Sequence, residues 1–145
     1  CGLRISDVRT LRWADIGKGT EGYYISKLMV KTRHVVTVPL SENALSWMPA
    51  RGQARADDKV FELPSFFSVN YRLKQWAREA GIDKPVTFHV SRHTFATTLL
   101  TMGVDLYTTS KLLGHQNIIT TQVYAEIVNR KKVEAVNLLD QIKPL

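Results

Sequence analysis

Two runs rich in β-branched and aromatic side chains, Tyr23 to Val30 and Val35 to Leu40, flank the polar stretch Lys31-Thr32-Arg33-His34. Side chains of this kind suit the pleated, half-buried surface of a strand, and so short a polar connection turns the chain back antiparallel. A hairpin with Lys31 at its turn is therefore expected, and Pro39, which has no N–H to continue a ladder, closes its second strand. Everything after Pro85 carries helical periodicity instead. The expected class is α+β, a mainly helical domain with a small antiparallel sheet or hairpin.

The helical segments are read from apolar spacing and punctuation. Behind Ser6-Asp7, the residues Val8, Leu11, Trp13 and Ile16 recur at helical spacing, which predicts a short helix from Ser6 to Ile16 ended by Gly17-Lys18-Gly19. Ser41 to Met48 reads as one more helical stretch and Arg51 to Lys59 as a polar surface loop. Phe66 to Ala80 carries Phe67, Tyr71, Leu73 and Trp76/Ala77 before Gly81 stops it. Two further helices, Ser91 to Met102 and Leu106 to Leu113, meet across Gly103-Val104-Asp105, where Asp105 can cap the second. A last amphipathic stretch, Lys132 to Ile142, spaces Val133, Val136, Leu139 and Ile142 three apart. No internal repeat or low-complexity segment interrupts this order.

At 145 residues, 44% of them hydrophobic, the chain has the size of one domain that can bury its own core. It opens on Cys1-Gly2-Leu3-Arg4 without a helix cap or polar lead-in, and the expectation is a fragment of a longer protein. One cysteine excludes a disulfide framework, and no apolar run approaches the roughly 20 residues needed to cross a bilayer. Twenty Lys and Arg against thirteen Asp and Glu leave a net charge of +7. That balance suits a polyanion such as nucleic acid, although net charge alone informs association and not fold.

The chemistry-bearing residues are spread along the chain. His89 and Arg92 lie three apart, which at a helix start places them on one face. His115 follows Gly114 after the apolar pair Leu112-Leu113, and Tyr124 lies nine residues further on. Each has a bland reading: a tyrosine is usually a packed amphipathic ring, a histidine a satisfied polar group, an arginine or turn lysine a solvated charge. His89 and His93 have the spacing of two metal ligands on one helix face, yet Arg92 lies between them and no nearby carboxylate or cysteine supplies the third ligand that a catalytic zinc needs.

Order carries more than any single residue. Gly2-Leu3-Arg4-Ile5-Ser6-Asp7, then Lys31-Thr32, His89-x-x-Arg92, Leu113-Gly114-His115 and Tyr124 together resemble the tyrosine recombinase (phage integrase) signature over nearly the whole chain. The departure is small: Cys1 stands where that family often has Thr, while His115 matches a position held there by His or Trp. The resemblance implies that Arg4 and Arg92 bind the scissile phosphate while His89 and His115 assist. It further implies that Lys31 protonates the leaving oxygen and that Tyr124 attacks. Asp7 matches a position that supports the arginine of its own helix, and His93 is the usual supporting residue after the second arginine.

Elementary chemistry makes those types suitable. Charge on the nonbridging phosphate oxygens can be met by bidentate guanidinium forks in place of a metal ion. A phenol, with its ordinary pKa near 10, needs a base or a cationic pocket to lose its proton, and the departing 5′-oxygen needs an acid. His89 is the candidate base. A 3′-phosphotyrosine conserves the bond energy, so neither cofactor nor metal is expected. The resemblance implies double-stranded DNA as partner, a tetrameric synapse on DNA from chains that are monomeric alone, an upstream DNA-grasping domain, and a bacterial, cytoplasmic, nucleoid-associated setting without membrane contact. The Lys132 to Ile142 stripe then docks on a neighbouring protomer or packs in cis. Two other readings compete: a non-catalytic helix-turn-helix module built on Ala96 to Leu113, and a type IB topoisomerase of similar chemistry. The first leaves the hairpin lysine and the Tyr124 spacing unexplained. The second fits the compact His115-to-Tyr124 spacing less well.

Overall fold

The structure, a computed structural model, describes residues 1–124 together with 136 and 137. Its elements follow in the order α1 (Ile5–Arg9), a 3-10 turn (Trp13–Asp15), β1 (Ile16–Gly19), β2 (Gly22–Leu28), β3 (Val35–Pro39), α2 (Glu42–Ser46), α3 (Phe66–Glu79), α4 (Phe88–Thr101), α5 (Leu106–Leu112) and a second 3-10 stretch, Ile118–Tyr124. The Lys132 to Ile142 amphipathic stretch lies outside the described residues apart from Val136 and Asn137.

The hairpin forms as its side chains predict, with Ile25 opposite Val38 and Leu28 opposite Val35 in antiparallel register. It is two-thirds of a sheet. The expected helix from Ser6 to Ile16 stops at Arg9, and Ile16–Gly19 pairs with β2 as a third strand, Gly17 lying opposite Tyr24. Two local interactions divide the segment. The Asp15 carboxylate accepts from the Arg12 backbone N–H at 2.9 Å, tightening a 3-10 turn, and also from the Lys27 ammonium at 3.0 Å. Lys27 is itself buried, so that ion pair with the Thr10 carbonyl satisfies a charge inside the sheet face. Helical spacing of the apolar residues was thus shared between a one-turn helix and a strand.

Three of the other helices begin at side-chain caps, of which Asp105 is the one expected from sequence. Ser41 accepts from Ala44 N–H, Ser65 from Ser68 N–H and Asp105 from Thr108 N–H, each satisfying a donor that the first turn leaves free. α4 begins three residues earlier than the pattern indicated, because Asn70 on α3, and not a local side chain, accepts from Phe88 N–H.

Two apolar clusters result. Leu3, Leu11, Ile25, Met29, Leu40 and Val60 pack under the sheet. Ala96, Leu100, Leu113 and Tyr124 form the second, with Phe95 and Leu106 against it. On α4 the buried positions Arg92, Ala96 and Leu100 recur every four residues, so a guanidinium occupies the first place of a core-facing stripe. That placement sets up the site.

Candidate active site

Arg4 is the residue preceding α1, in extended conformation, and its carbonyl accepts the first helical bonds from Asp7 and Val8. Its side chain makes no capping bond, and Nη1 is buried without a partner among the described residues. Arg4 lines a cleft of about 790 Å³ with Lys31, His89 and Arg92. Four of the six residues expected from sequence to be catalytic therefore line one cleft. α3 contributes to the same lining, with Phe66, Phe67 and Tyr71 exposed and Lys74 beside them. Sequence periodicity assigned these rings to a helix face and missed that the face is a cleft wall.

Arg92 is almost completely buried, and both of its terminal nitrogens donate to backbone: Nη1 to the Gly2 carbonyl and Nη2 to that of Leu113, the latter at 2.6 Å. It clasps the segment that presents Arg4 to the segment that presents His115. Gly2 and Gly114 make this closeness possible. Both have φ of +63°, and a Cβ on Gly2 would meet the Phe95 ring at 2.5 Å, while one on Gly114 would meet Val36 at 2.7 Å. Burial, and then the neighbouring Arg4 charge, lower the Arg92 pKa to about 10.

His115 is held by the end of α5. Gly114 N–H bonds to the Lys111 carbonyl and His115 N–H to that of Ser110, a Schellman closure that throws the imidazole off the helix end. Its Nδ1 is 2.8 Å from the Oγ1 of buried Thr121. Burial first, then Arg92, Arg4 and His89, push its pKa down to about 4. His89 is lowered in the same direction, by burial first and then by His93, Arg92, Arg4 and Lys31. Two histidines disfavoured as cations make acid destabilising. Between the unfolded value near 6.5 and the folded value of about 4, the unfolded chain binds the proton that native His115 refuses, so stability rises with pH across that window. The midpoint of urea denaturation should fall as pH drops through it, and His115→Gln should flatten the dependence. An unchanged slope in the variant would remove His115 from this account.

Asp7, expected to support the arginine of its own helix, is fully buried and makes no direct hydrogen bond or ion pair with Arg4. Its Oδ1 accepts from Val30 N–H at 2.7 Å, and its charge raises the Arg92 pKa. Asp7 thereby anchors the base of the Lys31 turn. Gln116 anchors the other side, donating to the Thr32 carbonyl at 2.9 Å. Within the turn, Arg33 adopts φ of +57° and Lys31 is exposed.

Tyr124 and His115 do not line the cleft. The Tyr124 ring is packed in the second core, 9% exposed, and its hydroxyl is 2.7 Å from Nδ1 of His93. Burial raises the phenol pKa and Arg92 opposes the rise. His89, the sequence choice for base, is one ring further away: its centroid is 4.6 Å from that of His93, edge to face. No group of three His, Cys, Asp or Glu that could hold a metal occurs among the described residues.

A sequence model described as the phage integrase family matches residues 1–130. The chain belongs to that family. The chain is 35% identical to the tyrosine recombinase XerD of Proteus mirabilis over 90% of its own length and 45% of that protein's. It is 33% identical to a tyrosine recombinase of Pseudothermotoga lettingae over 97% of itself and 51% of the relative. The chain therefore spans about half the length of the curated relatives it matches. Among solved structures, XerA recombinase superposes with a TM-score of 0.69 at 23% identity, covering 92% of this chain and 52% of the other. The catalytic domain of bacteriophage HP1 integrase superposes at 0.65 with 25% identity over 87% and 68%. The integrase fold, mainly helical with a small antiparallel sheet, is thus shared with recombinase catalytic domains.

Proposed function

We propose that this chain is the catalytic domain of a site-specific DNA recombinase, part of a longer protein, that cuts and rejoins double-stranded DNA through a 3′-phosphotyrosine on Tyr124. One observation carries the reading. Arg4, whose buried Nη1 has no partner among the described residues, lines one cleft with Arg92, Lys31 and His89, and a phosphodiester supplies the anionic oxygens that such donors lack. The names of the relatives, tyrosine recombinases of bacteria, support the same chemistry.

Arg4 and Arg92 meet the charge that grows on the nonbridging oxygens as the phenol oxygen adds to phosphorus. His115 acts as a neutral donor through Nε2, in the tautomer whose Nδ1 accepts from the Thr121 hydroxyl 2.8 Å away. His89 shares the cleft as an assisting imidazole. The 5′-oxygen leaves and takes a proton from the Lys31 ammonium at the tip of its anchored turn. Religation reverses these steps, and no cofactor or metal enters. The partner is duplex DNA, bound by chains that are monomeric alone and assemble as a tetramer on it, in the bacterial cytoplasm at the nucleoid. Trapping on nicked suicide duplexes in EDTA tests the whole reading, with a protein–DNA adduct resistant to denaturant as the expected product. A strand break without covalent protein would overturn it.

The acid has its own test. A 5′-bridging phosphorothioate departs as a thiolate, whose low proton affinity removes the need for general acid catalysis. Lys31→Ala should cleave ordinary DNA about 10²- to 10⁴-fold more slowly and recover on the sulfur substrate. Arg33→Ala and His34→Ala, from the same turn, should show no such selective rescue. Equal slowness of Lys31→Ala on both substrates would make the lysine a positioning contact.

A further inference from the structure

The phenol that the cleavage reading requires as nucleophile is already hydrogen-bonded, and its partner is not one of the residues to which the tyrosine recombinase resemblance gives a direct catalytic part. His93 Nδ1 is 2.7 Å from the Tyr124 hydroxyl, while the His89 ring stacks edge to face on the far side of His93. The His93 and Tyr124 rings themselves meet at 5.8 Å and 65°. Three rings thus run from the phosphate cleft, which His89 lines, to the packed phenol. α4 creates the run, since positions 89 and 93 are one turn apart on a face adjacent to the buried Arg92–Ala96–Leu100 stripe.

We infer that His93 is the group that takes the phenolic proton of Tyr124, and that His89 acts on the nucleophile only through it. This rests on the reading of Tyr124 as nucleophile. Geometry favours His93 over every other group near the phenol: it alone is within hydrogen-bond distance of the oxygen among the described residues. Arg92, the nearest cation whose charge reaches the phenol, has both Nη atoms bonded to carbonyls and cannot accept a proton. The His93 side chain is also exposed, so a proton received at Nδ1 can be passed to solvent from the other ring nitrogen. The balance closes. The O–H bond of Tyr124 breaks and an N–H bond forms at His93 Nδ1, leaving an imidazolium. The phenolic electron pair forms the new P–O bond, and the 5′-oxygen departs with the old pair and a proton from Lys31. On religation His93 returns its proton to the phenolate oxygen.

The test uses this chain with a pool of nicked suicide duplexes of randomised sequence, scoring the rate of covalent adduct formation and the retention of the pool on a native gel. His93→Ala should form the adduct about 10²- to 10⁴-fold more slowly, with free imidazole restoring at least about tenfold of the loss, because a diffusible base replaces a missing proton acceptor but not a missing packing contact. His93→Asn keeps a polar group against the hydroxyl yet accepts no proton, and should stay folded, retain the pool and remain slow. Cleavage by His93→Asn at the unmodified rate would overturn the inference. So would a His93→Ala defect that imidazole leaves untouched. Failure of the unmodified chain to form any Tyr124-dependent adduct would instead bring down the nucleophile reading and this inference together.

Discussion

Tyr124→Phe should abolish the covalent adduct completely while leaving the protein folded and bound to DNA. The substitution keeps the ring that packs with Ala96, Leu100 and Leu113, so the second core is undisturbed. It removes one hydrogen bond, that to His93, whose net worth is about 0.5–1.5 kcal/mol, a shift of a few degrees in Tm. The hydroxyl is 2.7 Å from an imidazole and buried below the surface, so its contribution to DNA affinity is small compared with that of the exposed cations. Denaturing gels of suicide-substrate reactions read the adduct, and filter binding reads affinity. An adduct of undiminished yield in the Phe variant would move the nucleophile to another residue. Joint loss of adduct, binding and thermal stability would make Tyr124 a core residue only.

That contrast between a packed ring and a reactive oxygen explains what the sequence could and could not show. Local signals were legible: Asp105 caps the helix it precedes, and the β-branched runs pair as a hairpin. Gly2 and Gly114 are glycines for steric reasons visible only once Phe95 and Val36 are placed beside them. Non-local choices stayed hidden. Nothing in the spacing of Val8, Leu11, Trp13 and Ile16 says that Lys27 will bond Asp15 in a 3-10 turn ahead of the sheet while the helix ends at Arg9. Asn70 caps α4 from eighteen residues away, and Asp7 bonds across to Val30, partners that no periodicity links. Among the candidate site residues, motif order identified a set of side chains, four of which line one cleft. It did not reveal the contacts inside that set, where His93 and not His89 meets the phenol.

The same distinction separates the two arginines, which sequence treats as a matched pair. Arg4 has an unpartnered Nη1, whereas Arg92 already spends both Nη atoms on the carbonyls of Gly2 and Leu113. Arg4→Lys should therefore leave Tm nearly unchanged and slow cleavage about 10²- to 10³-fold, the usual loss when one donor to a developing oxyanion goes. Arg92→Lys should lose at least as much activity and, unlike Arg4→Lys, unfold early. A lysine can reach one carbonyl and leaves the other buried and unpaired, at about 1–3 kcal/mol per orphaned group. Arg92→Ala leaves both, with an expected loss near 4 kcal/mol and a Tm lower by about 10 °C or more. Because the clasp joins the Arg4 segment to the turn before His115, loosening it also spreads the groups that face the phosphate, so cleavage falls beyond what one missing fork explains. Thermal denaturation and single-turnover cleavage, measured on all three variants, separate the roles. Equal Tm for Arg4→Lys and Arg92→Lys would show that the two backbone bonds contribute nothing to the fold and would leave Arg92 as a phosphate ligand alone.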